Sequence, residues 1–222
     1  MVHDYGSSLL SRAVSPDFEH QTQFVPQKKG FLVFKRVFDI GVSLALLPIL
    51  GLAGLTIFAI NPFLNQGSLF FAQKRMGQHC ITFHVFKFRT MVAVPVIERG
   101  ALDALEHHRI TYLGRFLRRS RLDELPQVIN VLRGEMSLIG PRPDYIAHAE
   151  AYLEQVPGYR ERHAMRPGIS GLAQVTHGYV DGLDGVVKKV AADLHYIREA
   201  SIRIDLWIAW RTFVIVILAK GA

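Results

Sequence analysis

The residues best suited to chemistry lie between Thr111 and Pro143. Arg115, Arg118, Arg119 and Arg121 run directly into an acidic pair, Asp123 and Glu124, and a Gly140-Pro141-Arg142-Pro143 loop follows an apolar segment. Guanidinium groups grip phosphate oxygens through paired hydrogen bonds, and a carboxylate beside them can act on the phosphate directly or through a metal. Pro126 has no backbone N–H and is tolerated only in the first turn of a helix. It therefore predicts a helix starting near Asp123, with Asp123 as its N-cap and Leu125, Ile129 and Leu132 on the buried face. Asn130 is polar within that helix and Gly134 is a natural stop. A carboxylate at a helix N-terminus stays ionised, and the free N–H groups there can receive phosphate oxygens. Local sequence equally allows Asp123 to be only a cap and Glu124 only a first-turn acid.

The elements that must position these groups belong to a chain of 222 residues, long enough for one domain with an appendage. Half the residues are apolar and the mean hydropathy is +0.19, high for a soluble protein. The net charge of +7 calls for an anionic partner: nucleic acid, membrane headgroups or a phosphorylated substrate. The single cysteine, Cys80, excludes an intramolecular disulfide and suits a reducing compartment.

From Ile40 to Ile60 the chain has about 21 residues without a charge, long enough to reach across a bilayer. It lacks the position and cleavage site of a signal peptide. Lys28, Lys29, Lys35 and Arg36 precede it, and Lys74, Arg75, Lys87 and Arg89 follow it, so by charge both flanks look cytoplasmic. Pro48 near its middle removes a helix hydrogen bond. A helix that enters, breaks at Pro48 and returns to the same face accounts for both facts, and a kinked single span is the alternative.

Residues 1–30 have no period and read as a flexible tail. Residues 68–91 alternate apolar and polar and read as a hairpin turning near Gly77-Gln78 or as extended segments. Residues 93–110 read as a loop or short helix, 144–163 as a helix with Tyr145, Ala149 and Tyr152 on its apolar face, 166–171 as a Gly/Pro loop, and 186–200 as a helix. From Ile202 onward, Trp207, Trp210 and Arg211 beside an aliphatic run predict an interfacial helix. The chain contains no phosphate-binding G-x-x-x-x-G-K-[ST], no G-x-G-x-x-G after a strand, no H-E-x-x-H and no zinc-type cysteine spacing. Its 10 histidines are scattered.

Several blocks now bear on one another in order: Lys35-Arg36-Val37-Phe38-Asp39 before the Pro-broken apolar segment; Gln73-Lys74-Arg75-Met76-Gly77; Phe86-Lys87-Phe88-Arg89-Thr90-Met91; Leu122-Asp123-Glu124-Leu125-Pro126-Gln127; Gly134-Glu135-Met136-Ser137-Leu138-Ile139-Gly140-Pro141-Arg142-Pro143; Arg166-Pro167-Gly168-Ile169-Ser170-Gly171; and Asp193-Leu194-His195-Tyr196-Ile197. From about Lys35 to its end the chain resembles the bacterial sugar transferases that are monotopic phosphoglycosyl transferases, in their short exopolysaccharide-initiating form. The resemblance implies transfer of a phosphosugar from a nucleotide-diphosphate sugar, expected to be a UDP-sugar, to undecaprenyl phosphate. A nucleoside monophosphate would be released at the cytoplasmic face of the bacterial inner membrane. It implies Asp123 as a nucleophile forming an aspartyl phosphosugar, and Glu124 as the residue binding Mg²⁺. Lys87, Arg118, Arg142, Pro143, Arg166 and Asp193 would bind substrate on the phosphate or nucleotide side.

The plainer readings stand beside these. Arg115, Arg119 and Arg121 suit lipid headgroups better than catalysis, Arg166-Pro167-Gly168 suits a turn, and a lone Asp such as Asp193 is by default solvated. Lys35 and Arg36 read as snorkelling anchors, with Arg36 the partner of Asp39. Arg121 departs from the family, many of whose members carry a small hydroxyl residue there, and the segment between Met91 and Thr111 is short. A nucleic-acid binder would want aromatic stacking beside the basic patch rather than acids, so no nucleic-acid partner is expected. A non-catalytic assembly subunit is the other class, and a homodimer is plausible. The expected architecture is α+β. It comprises a tail over 1–30, a re-entrant helix–break–helix over 31–64, and a small catalytic domain over 65–222 with interfacial helices and little regular sheet.

Overall fold

The computed structural model describes residues 29–65, 67–92, 106–178 and 182–218. The expected tail lies almost wholly outside them, as does most of the 93–110 segment. The architecture is α+β, mostly helical with short strands, as the sequence predicts. Helix α1 (Lys29–Leu64) is followed by an antiparallel hairpin, β1 (Phe70–Met76) and β2 (Thr82–Phe88). After the break come α2 (Tyr112–Arg119), a 3-10 turn at Leu122–Glu124, and α3 (Gln127–Arg133). Strand β3 (Ser137–Ile139), α4 (Ile146–Gln155), a 3-10 turn at Glu161–Ala164 and β4 (Gly168–Ser170) lead to the closing helices. These are α5 (Leu172–His177), α6 (Gly182–Glu199) and α7 (Ile202–Ile217).

Helix α1 is 36 residues long, about 54 Å at 1.5 Å per residue. Pro48 lies inside it and no non-helical residue interrupts it there, so the break expected at Pro48 is not a gap in the helix. Its buried residues form one stripe at intervals of four or seven: Lys35, Asp39, Ser43, Leu50, Ile57 and Asn61. Leu50 and Ile57 pack with Phe88, Leu113, Leu117 and Val128 in one core cluster. The opposite face leaves Val37, Leu44, Leu52, Leu55 and Phe58 exposed.

The polar members of the stripe are bonded. Lys35 is buried and its Nζ lies 2.6 Å from Asp205 Oδ2 on α7, so it is no snorkelling anchor. Asp39 accepts from the Leu138 backbone N–H on β3 at 3.0 Å. Arg36 is not its partner: the guanidinium reaches the Val131 and Leu132 carbonyls at 2.6 and 3.0 Å, capping the C-terminus of α3. The last carbonyls of a helix have no intrahelical donor, and an arginine within reach satisfies them. At the far end of α1, Asn61 and Asn65 donate to the Gly67 and Arg89 carbonyls.

The hairpin turns at Gly77–Ile81, with His79 and Cys80 both at positive φ. Two further expectations shift. The helix predicted over 144–163 ends at Gln155, although Ala149 and Tyr152 are buried on it and Tyr145 is its N-cap. The 166–171 loop contains β4, which pairs in parallel with β3. That pairing needs bare backbone, since a Cβ on Gly168 would stand 2.1 Å from the Gly140 nitrogen and one on Gly171 2.4 Å from the Gly140 oxygen. The stretch from Ile202 is helical, as expected, with Ile204 and Ile208 buried and Trp210 and Phe213 exposed.

Candidate active site

Strand β2 alternates, with Phe83 and Val85 buried, so Lys87 falls on the same inward face. An ammonium aimed inward needs a partner, and Lys87 Nζ meets Glu124 Oε1 at 2.8 Å. Helix α2 supplies Arg118 from the other side. Thr111 caps α2 by accepting from the Gly114 backbone N–H at 3.0 Å. Gly114 lets the helix close on the end of β2, where a Cβ would lie 2.0 Å from the Thr90 oxygen. At that distance Arg118 Nε donates to Thr90 Oγ1 at 2.9 Å.

Arg121 then takes the left-handed conformation (φ 59°) and swings the chain into the 3-10 turn that carries Asp123 and Glu124. Such a backbone is costly for a residue with a Cβ and persists where the surroundings enforce it. Asp123 is therefore not a helix cap. Helix α3 starts four residues later behind Pro126, and its buried face is Gln127, Val128, Asn130 and Val131, with Leu125, Ile129 and Leu132 only partly covered. The extra 3-10 turn rotates the helix relative to the pattern expected from Asp123. Gly134 does terminate it, at φ 81°. Buried Asn130 ties α3 to β2, accepting from the Phe86 N–H and donating to the His84 carbonyl.

The two carboxylates have opposite surroundings. Glu124 is tied on both oxygens: Arg142 grips it with both amino groups, Lys87 joins at 2.8 Å and Arg121 stands at 3.6 Å. Burial alone would push its pKa up, but the Arg142 and Lys87 charges outweigh burial and hold it well below the usual carboxylate range. Asp123 is 7% exposed and makes no side-chain hydrogen bond or close ion pair among the described residues. Burial raises its pKa, with Lys87 opposing, Glu124 reinforcing, and Arg118 and Arg142 opposing more weakly. Lys87 is itself lowered by burial against the pull of Glu124. Two carboxylates thus sit among four cations (Lys87, Arg118, Arg121, Arg142), leaving local positive charge for an incoming phosphate.

Among the described residues no three His, Cys, Asp or Glu side chains converge to cage a metal. Mg²⁺ commonly uses one or two carboxylates plus substrate phosphates, so Glu124 fits it only in that shared form.

The structure brings Asp123, Glu124, Lys87, Arg118 and Arg142 together. Pro143 is buried beside Arg142, its carbonyl accepting from Arg75 at 2.8 Å. Arg166 is not with them. It is exposed and donates to the Gly134 carbonyl at 3.0 Å, at the end of α3 away from the dyad. Asp193 is 1% exposed and sealed against Arg162, whose Nε and Nη2 reach Asp193 Oδ2 at 2.8 and 2.7 Å, so it lies beneath the site rather than facing it. Sequence reasoning missed Arg162, Asp144, Lys189 and Thr90. Only Thr90 carried a signal, standing inside the Phe86–Met91 block.

The family model for bacterial sugar transferases matches residues 31–219. The chain belongs to that family. It is 34% identical over 219 residues to a UDP-N-acetylgalactosamine-undecaprenyl-phosphate N-acetylgalactosaminephosphotransferase of Aeromonas hydrophila, covering 97% of this chain and 52% of that protein. It is 39% identical over 183 residues to a UDP-glucose:undecaprenyl-phosphate glucose-1-phosphate transferase of Klebsiella pneumoniae, covering 82% and 39%. It is 40% identical over 189 residues to the exopolysaccharide production protein PSS of Rhizobium leguminosarum bv. phaseoli, covering 82% and 94%. The chain thus spans about half or less of the first two relatives and nearly all of the third.

Proposed function

We propose that this protein transfers a sugar phosphate from a UDP-sugar to undecaprenyl phosphate, beginning the assembly of an exopolysaccharide or related glycan. The observation that carries the reading is the contrast within the dyad. Glu124 is bound by cations on both oxygens, while adjacent Asp123 is untied, buried and surrounded by positive charge. The relatives named for UDP-sugars and undecaprenyl phosphate support the substrates.

In this reading an Asp123 oxygen attacks the sugar-linked phosphorus. The bond from that phosphorus to the bridging oxygen breaks, and UMP leaves with the electron pair. The acceptor's phosphate oxygen then attacks the same phosphorus and releases the Asp123 carboxylate, leaving a polyprenyl diphosphosugar. Two displacements at one carboxylate replace a direct encounter between two bulky anions. Arg142 and Lys87 hold Glu124 ionised, and Arg118 on Thr90 presents positive charge to the phosphates. Mg²⁺, held by Glu124 and the donor's diphosphate, would neutralise the leaving group.

Both ends of α1 are bonded to the same domain, through Lys35 and Asp39 at one end and Asn61 and Asn65 at the other. That supports a monotopic protein whose apolar outer face enters one leaflet of the inner membrane from the cytoplasmic side. The experiment is intact mass spectrometry of the membrane-embedded protein with each UDP-sugar and Mg²⁺, without lipid acceptor. A phosphosugar adduct on wild type that is missing in Asp123→Asn is expected. No adduct from any UDP-sugar on folded protein would defeat the covalent reading.

A further inference from the structure

The loop Pro141–Asp144 carries Arg142 to Glu124, yet it has little means of holding itself. Two of its residues are prolines without an N–H, and it lies in no helix or strand. Each of its carbonyls is instead held from outside. The Pro141 carbonyl accepts from Gly168 N–H at 3.0 Å and that of Asp144 from Met76 N–H at 3.1 Å. The Arg142 carbonyl accepts from Arg162 Nη2 at 2.7 Å, and the Pro143 carbonyl from Arg75 Nη1 at 2.8 Å.

Arg162 does more than pin one carbonyl. Its side chain is fully buried and spans three partners: Asp193 on α6, Asp144 at 2.9 Å and the Arg142 main chain. Asp144 is also held by Lys189 of α6 and by the Tyr159 hydroxyl at 2.8 Å. Arg142 in turn donates to the Ile169 carbonyl on β4 at 3.1 Å while gripping Glu124. A continuous set of bonds therefore runs from α6 through Arg162 to the main chain of the residue that grips the dyad.

We propose that Arg162 is the positioning residue for Arg142. It fixes the Arg142 carbonyl and the Asp144 side chain together, and so sets where the Arg142 guanidinium meets Glu124. Asp193 is its counter-ion and acts through it. Only a planar fork can serve these partners at once, because a lysine ammonium is a point donor that cannot span them. The link to catalysis rests on the proposed sugar-phosphate transfer, whereas the link to Arg142 does not.

The test uses the full-length protein in nanodiscs with Arg162→Lys, Arg142→Ala and the double variant, and Asp193→Asn as the milder change should Arg162→Lys fail to fold. Single-turnover adduct formation should fall about 100-fold in Arg162→Lys, the usual cost of misplacing a catalytic contact. It should fall no further when Arg162→Lys is added to Arg142→Ala. Losses that multiply independently would overturn the proposal. The side-chain Nε–H signal of Arg142, assigned by its disappearance in Arg142→Lys, should be slowly exchanging in wild type and averaged in Arg162→Lys or Asp193→Asn. An unchanged signal in the folded variant would also overturn it. Wild type that forms no adduct would defeat the proposed transfer, while the Arg142 signal would still decide the positioning.

Discussion

Asp123 and Glu124 are neighbours in the chain, but their chemistry is divided by what surrounds each. The carboxylate proposed as nucleophile must be ionised, and burial sets the folded pKa of Asp123 above its ordinary 3.8. Activity should therefore fall as pH drops through that raised value. Lys87 is the largest charge opposing the shift, so Lys87→Met should raise Asp123 further and move the acid limb of the rate profile to higher pH. Rates measured against pH in both proteins check this, and an unmoved limb would remove Lys87 from the role. Glu124 carries the opposite sign. Its folded pKa is depressed, so its stabilisation is complete above its unfolded value near 4.5 and is lost only as pH falls through the lower folded value. Removing its charge takes the shared counter-charge from Lys87 and Arg142 in a buried setting. Glu124→Gln should cost about 3 kcal/mol, read as a lowered denaturation midpoint.

At the scale of elements, the site depends on close backbone approaches. Helix α2 reaches Thr90 only because residue 114 has no side chain. Gly114→Ala would force its Cβ against a carbonyl now 2.0 Å from that position. The helix should shift, break the Arg118–Thr90 bond and lose about 1–3 kcal/mol from overpacking. A thermal melt would show the loss, and a weaker donor affinity in the same variant would show that Arg118 had moved. The β3–β4 pair is nearly as tight, with Gly168 and Gly171 standing against the backbone of Gly140. The Lys35–Asp205 pair ties α1 to α7, with Tyr196 donating to the other Asp205 oxygen at 2.7 Å. Asp205→Asn leaves a buried lysine without its counter-charge and should cost about 3–5 kcal/mol, checked by denaturant titration in detergent.

For the whole molecule, the arrangement of α1 decides how the proposed transfer would reach two substrates of opposite solubility. A helix of this length could cross a bilayer, yet polar side chains bind both of its ends to one domain. Single cysteines at Lys29 and Ser68, in a Cys80→Ser background, should both react with an impermeant maleimide from the cytoplasmic side. Labelling of one only would mean that α1 spans. The exposed aromatics Tyr112 and Phe116 on α2 and Trp210 and Phe213 on α7 fit an interfacial position for those helices.

Much of this was legible in the linear chain, for definite reasons. Period-two alternation pointed to the hairpin, and an uncharged run gave α1. Guanidiniums beside adjacent acids pointed to phosphate chemistry, which belongs to the proposed function. Those signals are local, so they survive without knowledge of the fold. The sequence could not show that Arg121 turns left-handed, since that conformation is imposed by packing; this is why Asp123 looked like a cap. Nor could it show that Arg36 would leave Asp39 for a helix end 95 residues away, or that Asp193 would be sealed behind Arg162. Charge partners far apart in sequence are chosen by burial: each buried charge must find whichever opposite charge or carbonyl the tertiary structure brings within reach. Residue types therefore determined what chemistry this protein carries, and only the folded chain decided which carboxylate is tied down and which is left untied.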